Sequence, residues 1–154
     1  MNGPAERLLT FEVDNNAYAL PIASVAEVAN MGRLACIPTL PLEVGAITNH
    51  HGDALPVIRR EVLFDLDGGA LQAPEHLLVL AEGEESARIG VPVDRICGLV
   101  DGQAARALGD SMVAERRPLD GRVVQIIDPQ KLIQQVGEIF RRAVVAEPAA
   151  QGDS

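Results

Sequence analysis

Apolar and polar residues alternate near the start of the chain, and this pattern predicts a β-hairpin. Residues 9–13 read Leu-Thr-Phe-Glu-Val, and residues 18–22 resume the period of two after the turn-favouring run at 14–16. Successive side chains of a strand point to opposite faces of its sheet, so this alternation is typical of a half-buried strand. We therefore predict a hairpin over residues 8–22.

The second half of the chain repeats the pattern of the first. Aligning residues 20–22 (Leu-Pro-Ile) with residues 91–93 (Val-Pro-Val) also places Val28 on Leu99, an offset of about 71 residues. Self-similarity at a fixed offset is the usual sign of a repeated structural unit. The pattern therefore predicts two related β-units in tandem.

Each half ends in a further predicted hairpin. The β-prone runs lie within residues 44–58 in the first half and within residues 112–127 in the second, where Asp120 and Gly121 form a favoured type I′ turn pair. Between the halves, residues 65–74 (DLDGGALQAP) are polar and rich in glycine. We predict that this segment separates two β-subdomains of one domain.

The chain closes with a predicted amphipathic helix. Asp128 is a good N-cap residue, and Pro129 suits the first helical position. Apolar residues then recur with helical spacing, at Leu132, Ile133, Val136, Ile139, Phe140 and Ala143. The predicted domain spans residues 8–145, with flexible tails at 1–7 and 147–154.

Composition narrows the classes of partner. The 154 residues are 47% hydrophobic and carry a formal net charge of −9, which disfavours nucleic acid and anionic membrane surfaces and favours proteins. No apolar run is long enough to span a membrane, and no signal-peptide pattern opens the chain, so we predict a cytoplasmic protein. Cys36 and Cys97 have aliphatic neighbours and are predicted to be buried, reduced thiols.

The stretch AITNHHGDALPV, residues 46–57, is the one place where the sequence suggests chemistry. Neighbouring residues of a strand point to opposite faces, so His50 and His51 are poorly placed to share a metal ion. His51 beside Asp53 suits acid-base chemistry, yet the chain has no nucleophile motif or phosphate-binding motif. We therefore predict that the protein is not an enzyme and that it binds neither a metal ion nor a cofactor. Two interpretations stay open: a plain turn between strands, or an exposed recognition loop.

Taken together, these stretches resemble the CheW-like family of chemotaxis coupling proteins over about residues 8–132. The strongest piece is GVPVDRICGLV, residues 90–100, which is similar to the family's G-[LV]-x-V-D-x-[IV]-x-x-[IV] stretch. The Asn49-x-x-Gly52 spacing resembles the family's Asn-x-Arg-Gly loop. Each piece is short, and their order and spacing carry the resemblance.

The resemblance implies a mainly β fold of two five-stranded, SH3-like β-barrels with a C-terminal helix. It also implies a non-enzymatic adaptor that joins the regulatory domain of a histidine kinase to the cytoplasmic tip of chemoreceptors, and is thereby recruited to membrane-associated receptor arrays. The implied partner-binding residues are Asn49, His51, Gly52, Val25, Glu27 and Val28.

The sequence departs from the family pattern beside the loop. His51 stands where arginine is usual, and Arg59-Arg60 stand where Asp-Leu is common. Histidine is shorter than arginine and largely neutral at pH 7, so the standard contacts are altered. Two alternatives follow: a divergent scaffold for a pilus-motility pathway that lacks a standard partner contact, or a small metal- or ligand-binding regulatory domain that uses His50 and His51.

Overall fold

The computed structural model describes residues 6–30, 36–37, 45–50, 52–64, 66, 74–81, 88–119 and 121–151. Within these ranges the chain forms eleven strands, two α-helices and one 3-10 turn, Ile22–Ser24. In chain order, the elements are β1 (Arg7–Val13), β2 (Asn16–Pro21), β3 (Val25–Asn30), β4 (Cys36–Ile37), β5 (Gly45–His50), β6 (Asp53–Ile58), α1 (Arg60–Leu63), β7 (His76–Ala81), β8 (Arg88–Val93), β9 (Arg95–Asp101), β10 (Val113–Leu119), β11 (Arg122–Ile127) and α2 (Pro129–Gln151).

The predicted hairpins are confirmed. β1 pairs antiparallel with β2 through the two-residue turn Asp14-Asn15, whose φ angles of 52° and 65° are those of a type I′ turn. β5 pairs with β6, and β10 pairs with β11, each in antiparallel register. A type I′ turn matches the right-handed twist of the strands that it joins, so the Asp14-Asn15 turn favours the β1–β2 hairpin.

The strands form two sheets. The first sheet has the order β10-β11-β2-β1-β9, and the second has the order β3-β7-β8-β6-β5-β4. The mainly β class with a C-terminal helix is therefore confirmed. The second sheet has six strands rather than five because the two-residue strand β4 pairs with β5.

Each sheet contains strands from both halves of the chain, an exchange that the sequence pattern did not predict. The first sheet combines β1 and β2 with β9, β10 and β11, whereas β7 and β8 join strands of the first half. Element by element, the pairings of the two sheets correspond. In the first sheet, β1 lies antiparallel to the edge strand β9, and β2 lies parallel to β11. In the second sheet, β7 lies antiparallel to the edge strand β3, and β8 lies parallel to β6. The predicted repeat is thus confirmed in the topology.

The predicted domain boundaries at residues 8 and 145 stay predictions. Helix α2 follows Asp128 as expected and continues to Gln151. The predicted division at 65–74 lies largely outside the described residues, so it stays a prediction, as does the flexibility of the tails.

A central core lies between the two sheets and α2. Strands β1 and β2 direct alternate residues into it from one side, and β7 and β8 do so from the other. Its fully buried members include Phe11, Val13, Leu20, Leu78, Leu80, Val91, Val93, Ile127, Leu132 and Val136. The intervening residues of the same strands fill two smaller clusters, one on the outer side of each sheet. The exchanged hairpins are therefore buried on both faces.

An ion pair lies where the chain crosses between the sheets. Asp94 is the single residue between β8 and β9, and its carboxylate pairs with the guanidinium of Arg60, whose side chain is only 4% exposed. The other oxygen of Asp94 accepts a hydrogen bond from the backbone N–H of Asp14, 2.7 Å away. The crossover is thereby attached to both α1 and the β1–β2 turn.

The expected burial of Cys97 is wrong, and the side chain of Cys36 lies outside the described residues. Cys97 is a free, exposed thiol on β9, an edge strand in which exposed and half-buried residues alternate. A register shift against Thr10 and Phe11 on β1 accompanies a φ of 150° at Gly98. Cys97 continues the alternation along β9, in which Arg95 and Leu99 are also exposed, although its neighbours in sequence are aliphatic.

Candidate partner-binding surface

The Asn49–Gly52 segment forms the tip of the β5–β6 hairpin. His50 pairs with Asp53, and Gly52 has a φ of 87°. The Asn49 Oδ1 accepts a hydrogen bond from the Gly52 N–H at 2.9 Å. Asn49 and Gly52 therefore have a structural function in the turn: one closes it, and the other supplies its left-handed backbone.

His51 lies outside the described residues, as do the side chains of His50 and Asp53. Their part in recognition thus stays a prediction. Among the side chains that the structure does describe, no three His, Cys, Asp or Glu residues come together as metal ligands.

The second group of predicted contact residues lies on β3, an edge strand of the second sheet. Val25 is half-buried and packs against the central core, whereas the Val28 side chain is 43% exposed. Glu27 is half-buried. For the two valines, core packing is the alternative to partner contact. Val25 packs against the core, whereas Val28 presents more apolar surface to solvent.

The two groups of predicted residues do not share one strand pair. In the order of the second sheet, three strands lie between β3 and β5. The hairpin tip and the β3 edge are thus two separate parts of one sheet. A partner that touches both must extend across or around that sheet.

Sequence reasoning missed the equivalent edge of the first sheet. β9 occupies there the position that β3 occupies in the second sheet, and its Leu99 is 50% exposed. The signal was present in the repeat, since the same alignment places Val28 on Leu99. Each sheet therefore ends in a strand that carries an exposed apolar side chain.

A carboxylate shared by two arginines joins three strands of the first sheet. Glu12 on β1 accepts 2.6 Å hydrogen bonds from Arg95 on β9 and from Arg122 on β11. The Glu12 side chain is 11% exposed, against 66% for Arg95 and 45% for Arg122. The hydrogen bonds from Arg95 and then Arg122 lower the pKa of Glu12 from its ordinary value of 4.5, although burial opposes them.

The sequence places two positive charges, Arg59 and Arg60, beside the hairpin, but only one of them lies on the surface. The Arg60 guanidinium is buried against Asp94 at the crossover and does not lie on the surface beside the loop. The Arg59 side chain is 47% exposed and pairs with Glu61 at 3.1 Å. Of the two arginines, only Arg59 changes the surface that a partner meets.

Comparisons with known proteins agree with this architecture. Residues 7–137 match the model of the CheW-like domain. Over 103 residues the chain is 26% identical to a protein named chemotaxis protein CheW from Treponema pallidum (strain Nichols). That match covers 65% of this chain but only 60% of the Treponema protein.

A solved structure shares the fold. The scaffolding protein TtCheW from Thermoanaerobacter tengcongensis superposes with a TM-score of 0.64 at 19% identity, covering 81% of this chain and 90% of that one. Within the described residues, no helix is long and apolar enough to cross a membrane.

The turn geometry predicts that Asn49→Ala lowers stability. Loss of the Oδ1 acceptor leaves the Gly52 N–H without that bond and should cost about 1 kcal/mol of unfolding free energy. Asn49→Asp keeps an acceptor oxygen at the same position and is the matched control. Urea unfolding measures both. Equal stability of Asn49→Ala and the unchanged chain would show that the hydrogen bond is unimportant.

The Glu12 cluster predicts a specific acid response. Because the folded-state pKa is lowered, the stabilisation is present above pH 4.5 and is lost as the pH falls through the folded-state value. At pH 7, Glu12→Gln should cost about 2 kcal/mol, since it replaces charge-assisted hydrogen bonds with weaker ones. The difference should shrink toward zero in strong acid. Denaturant unfolding from pH 7 downward checks this, and a difference independent of pH would contradict it.

Proposed function

This chain belongs to the CheW-like family, and we propose that it acts as a non-enzymatic adaptor in bacterial chemosensory signalling. In this proposal it couples the regulatory domain of a histidine kinase to the cytoplasmic tip of chemoreceptors and is recruited to membrane-associated receptor arrays. The family match over residues 7–137 supports the signalling role. The names of the Treponema and Thermoanaerobacter relatives, a chemotaxis protein and a scaffolding protein, support it as well.

The observation that carries the adaptor role is the exposed edge of the second sheet. β3 pairs only with β7 among the described strands, and it presents Val28 outward with 43% of its surface exposed. An exposed apolar residue on a rigid strand suits a modest, exchangeable contact between proteins. The hairpin tip, with His51 between Asn49 and Gly52, offers a second contact on another part of the same sheet.

The second candidate is a divergent scaffold for a pilus-motility pathway. It is favoured by Arg59, which is exposed where an acidic residue is common in the family, and by His51 in place of arginine. Such a scaffold would bind the kinase regulatory domain and would lack affinity for the receptor tip. Measuring the two affinities separately therefore distinguishes the candidates.

The β3 edge predicts that Val28→Asp weakens binding of a partner. The charge has to be desolvated in an apolar contact, so we expect at least about a tenfold rise in Kd for the kinase regulatory domain or the receptor tip. Val123→Asp is the matched control, because Val123 is 60% exposed on the first sheet. Biolayer interferometry with each partner checks this. If neither partner binds the folded, unaltered chain, the adaptor role is wrong.

The hairpin tip predicts a separate effect of His51→Ala. We expect weaker binding of a partner with a melting temperature that changes by no more than a degree or two, since surface substitutions rarely alter stability by more than about 0.5 kcal/mol. Asn49→Ala is the contrasting variant, because it alters the turn itself. A large fall in melting temperature with unchanged affinity would assign His51 to the fold.

A further inference from the structure

A partly open cavity lies on the outer side of the first sheet, the side away from the central core. Its volume is about 310 Å³, and it is lined by parts of all five strands. The lining is mostly small or apolar and includes Thr10, Ala17, Gly98, Val100, Leu119 and Val124. Cys97 and Arg122 also line it, and both side chains reach solvent. The volume lies at the lower end of the range for ligand pockets and is ample for one aliphatic side chain.

The cavity lies beside the outer cluster of the first sheet, which consists of Leu8, Ala17, Ala19, Val124 and Ile126. Ala17 lines the cavity, and its methyl group fills little of the space in front of β2. An aliphatic side chain bound there would add packing contacts with the apolar part of the lining.

β9 offers an open backbone edge beside the cavity. It pairs only with β1 among the described strands and contributes residues 97–100 to the lining. The other edge strand, β10, contains Pro118, which has no N–H to donate to an added strand. β9 has no proline along its length. Of the two edges of the first sheet, β9 is therefore the one suited to pair with an added strand.

Two guanidinium groups lie beside the cavity, although the chain as a whole carries −9. Arg95 and Arg122 share the carboxylate of Glu12, and Arg95 also interacts electrostatically with Glu75. Both guanidinium groups keep much of their surface in solvent and have N–H donors in a planar fork that matches a carboxylate. The global charge repels acidic peptides in general, so these guanidinium groups would bind only a segment that also fits the edge and the cavity.

We propose that an extended acidic segment of a partner protein pairs with β9, places an aliphatic side chain in the cavity and sets a carboxylate against Arg95 and Arg122. Side chains of the added strand would alternate, one toward the cavity and the next away from it. This docking surface belongs to the first sheet. It is thus a contact beyond those of the β3 edge and the hairpin tip, and it does not depend on the adaptor role.

The first test uses a fluorescein-labelled octapeptide in which Asp and Leu alternate, added to the full chain. Fluorescence anisotropy should show saturable binding that weakens as salt is added, because the ionic contact is partly exposed. Cys97→Leu fills the cavity and should raise Kd by about tenfold or more, whereas the size-matched Cys97→Ser should bind as the unaltered chain does. Val28→Asp, on the other sheet, should leave binding unchanged, which separates this result from the adaptor test.

Two matched controls test the charge and the backbone pairing. A peptide with Lys in place of Asp should not bind. Methylation of the amide nitrogens of every second residue can be placed on either of two sets of residues. It should abolish binding only for the set whose N–H groups face β9. Arg95→Gln should weaken binding more than Arg7→Gln, because Arg7 is equally exposed but lies at the opposite end of the β1–β9 pair.

A second readout does not depend on the folding of any cavity variant. In a Cys36→Ser background, the Asp-Leu peptide should slow modification of the Cys97 thiol by a soluble disulfide reagent. The proposal is overturned if binding is not saturable at millimolar peptide, if the Lys-Leu peptide binds equally well, or if the bound Asp-Leu peptide leaves the rate of Cys97 modification unchanged.

Discussion

Each sheet of this protein is completed by a hairpin from the other half of the chain, and both the core and the free sheet edges follow from this exchange. Strands β1 and β2 leave their own half to pair with β9 and β11, and β7 and β8 do the same with β3 and β6. The exchanged hairpins are buried on both faces, one side in the central core and the other in a smaller cluster. Neither half can therefore bury its apolar residues alone, and the two sheets must form together.

The exchange also determines which strands are left for recognition. Because the exchanged hairpins occupy the middle of each sheet, β3 and β9 become edges, and each carries an exposed apolar residue, Val28 or Leu99. The Asp94 crossover, held by Arg60 and the Asp14 backbone, attaches one sheet to the other. Two edges on one packed body are a suitable basis for an adaptor, whose task is to hold two partners at once without chemistry of its own.

Much of this architecture was predictable. Alternation and turn residues are local signals, and the repeat can be recognised by comparing the two halves of the sequence. They predicted the hairpins, the helix after Asp128 and the correspondence of Val28 with Leu99. The exchange was not predictable, because strand pairing across the repeat depends on contacts between residues far apart in sequence. The burial of single residues was not predictable for the same reason. Cys97 is exposed because it lies on an edge strand, and only the packing distinguishes Val25 from Val28. The pattern placed Asn49 and Gly52 in a loop but did not show that they bond to each other.

An adaptor of the proposed kind binds a kinase regulatory domain and a receptor tip at the same time. Size-exclusion chromatography with multi-angle light scattering can detect this, with the two partners and the chain mixed at equal concentrations above both Kd values. We expect one peak whose mass equals the sum of the three components and which is absent when the chain is omitted. Two binary complexes that exclude each other would contradict it.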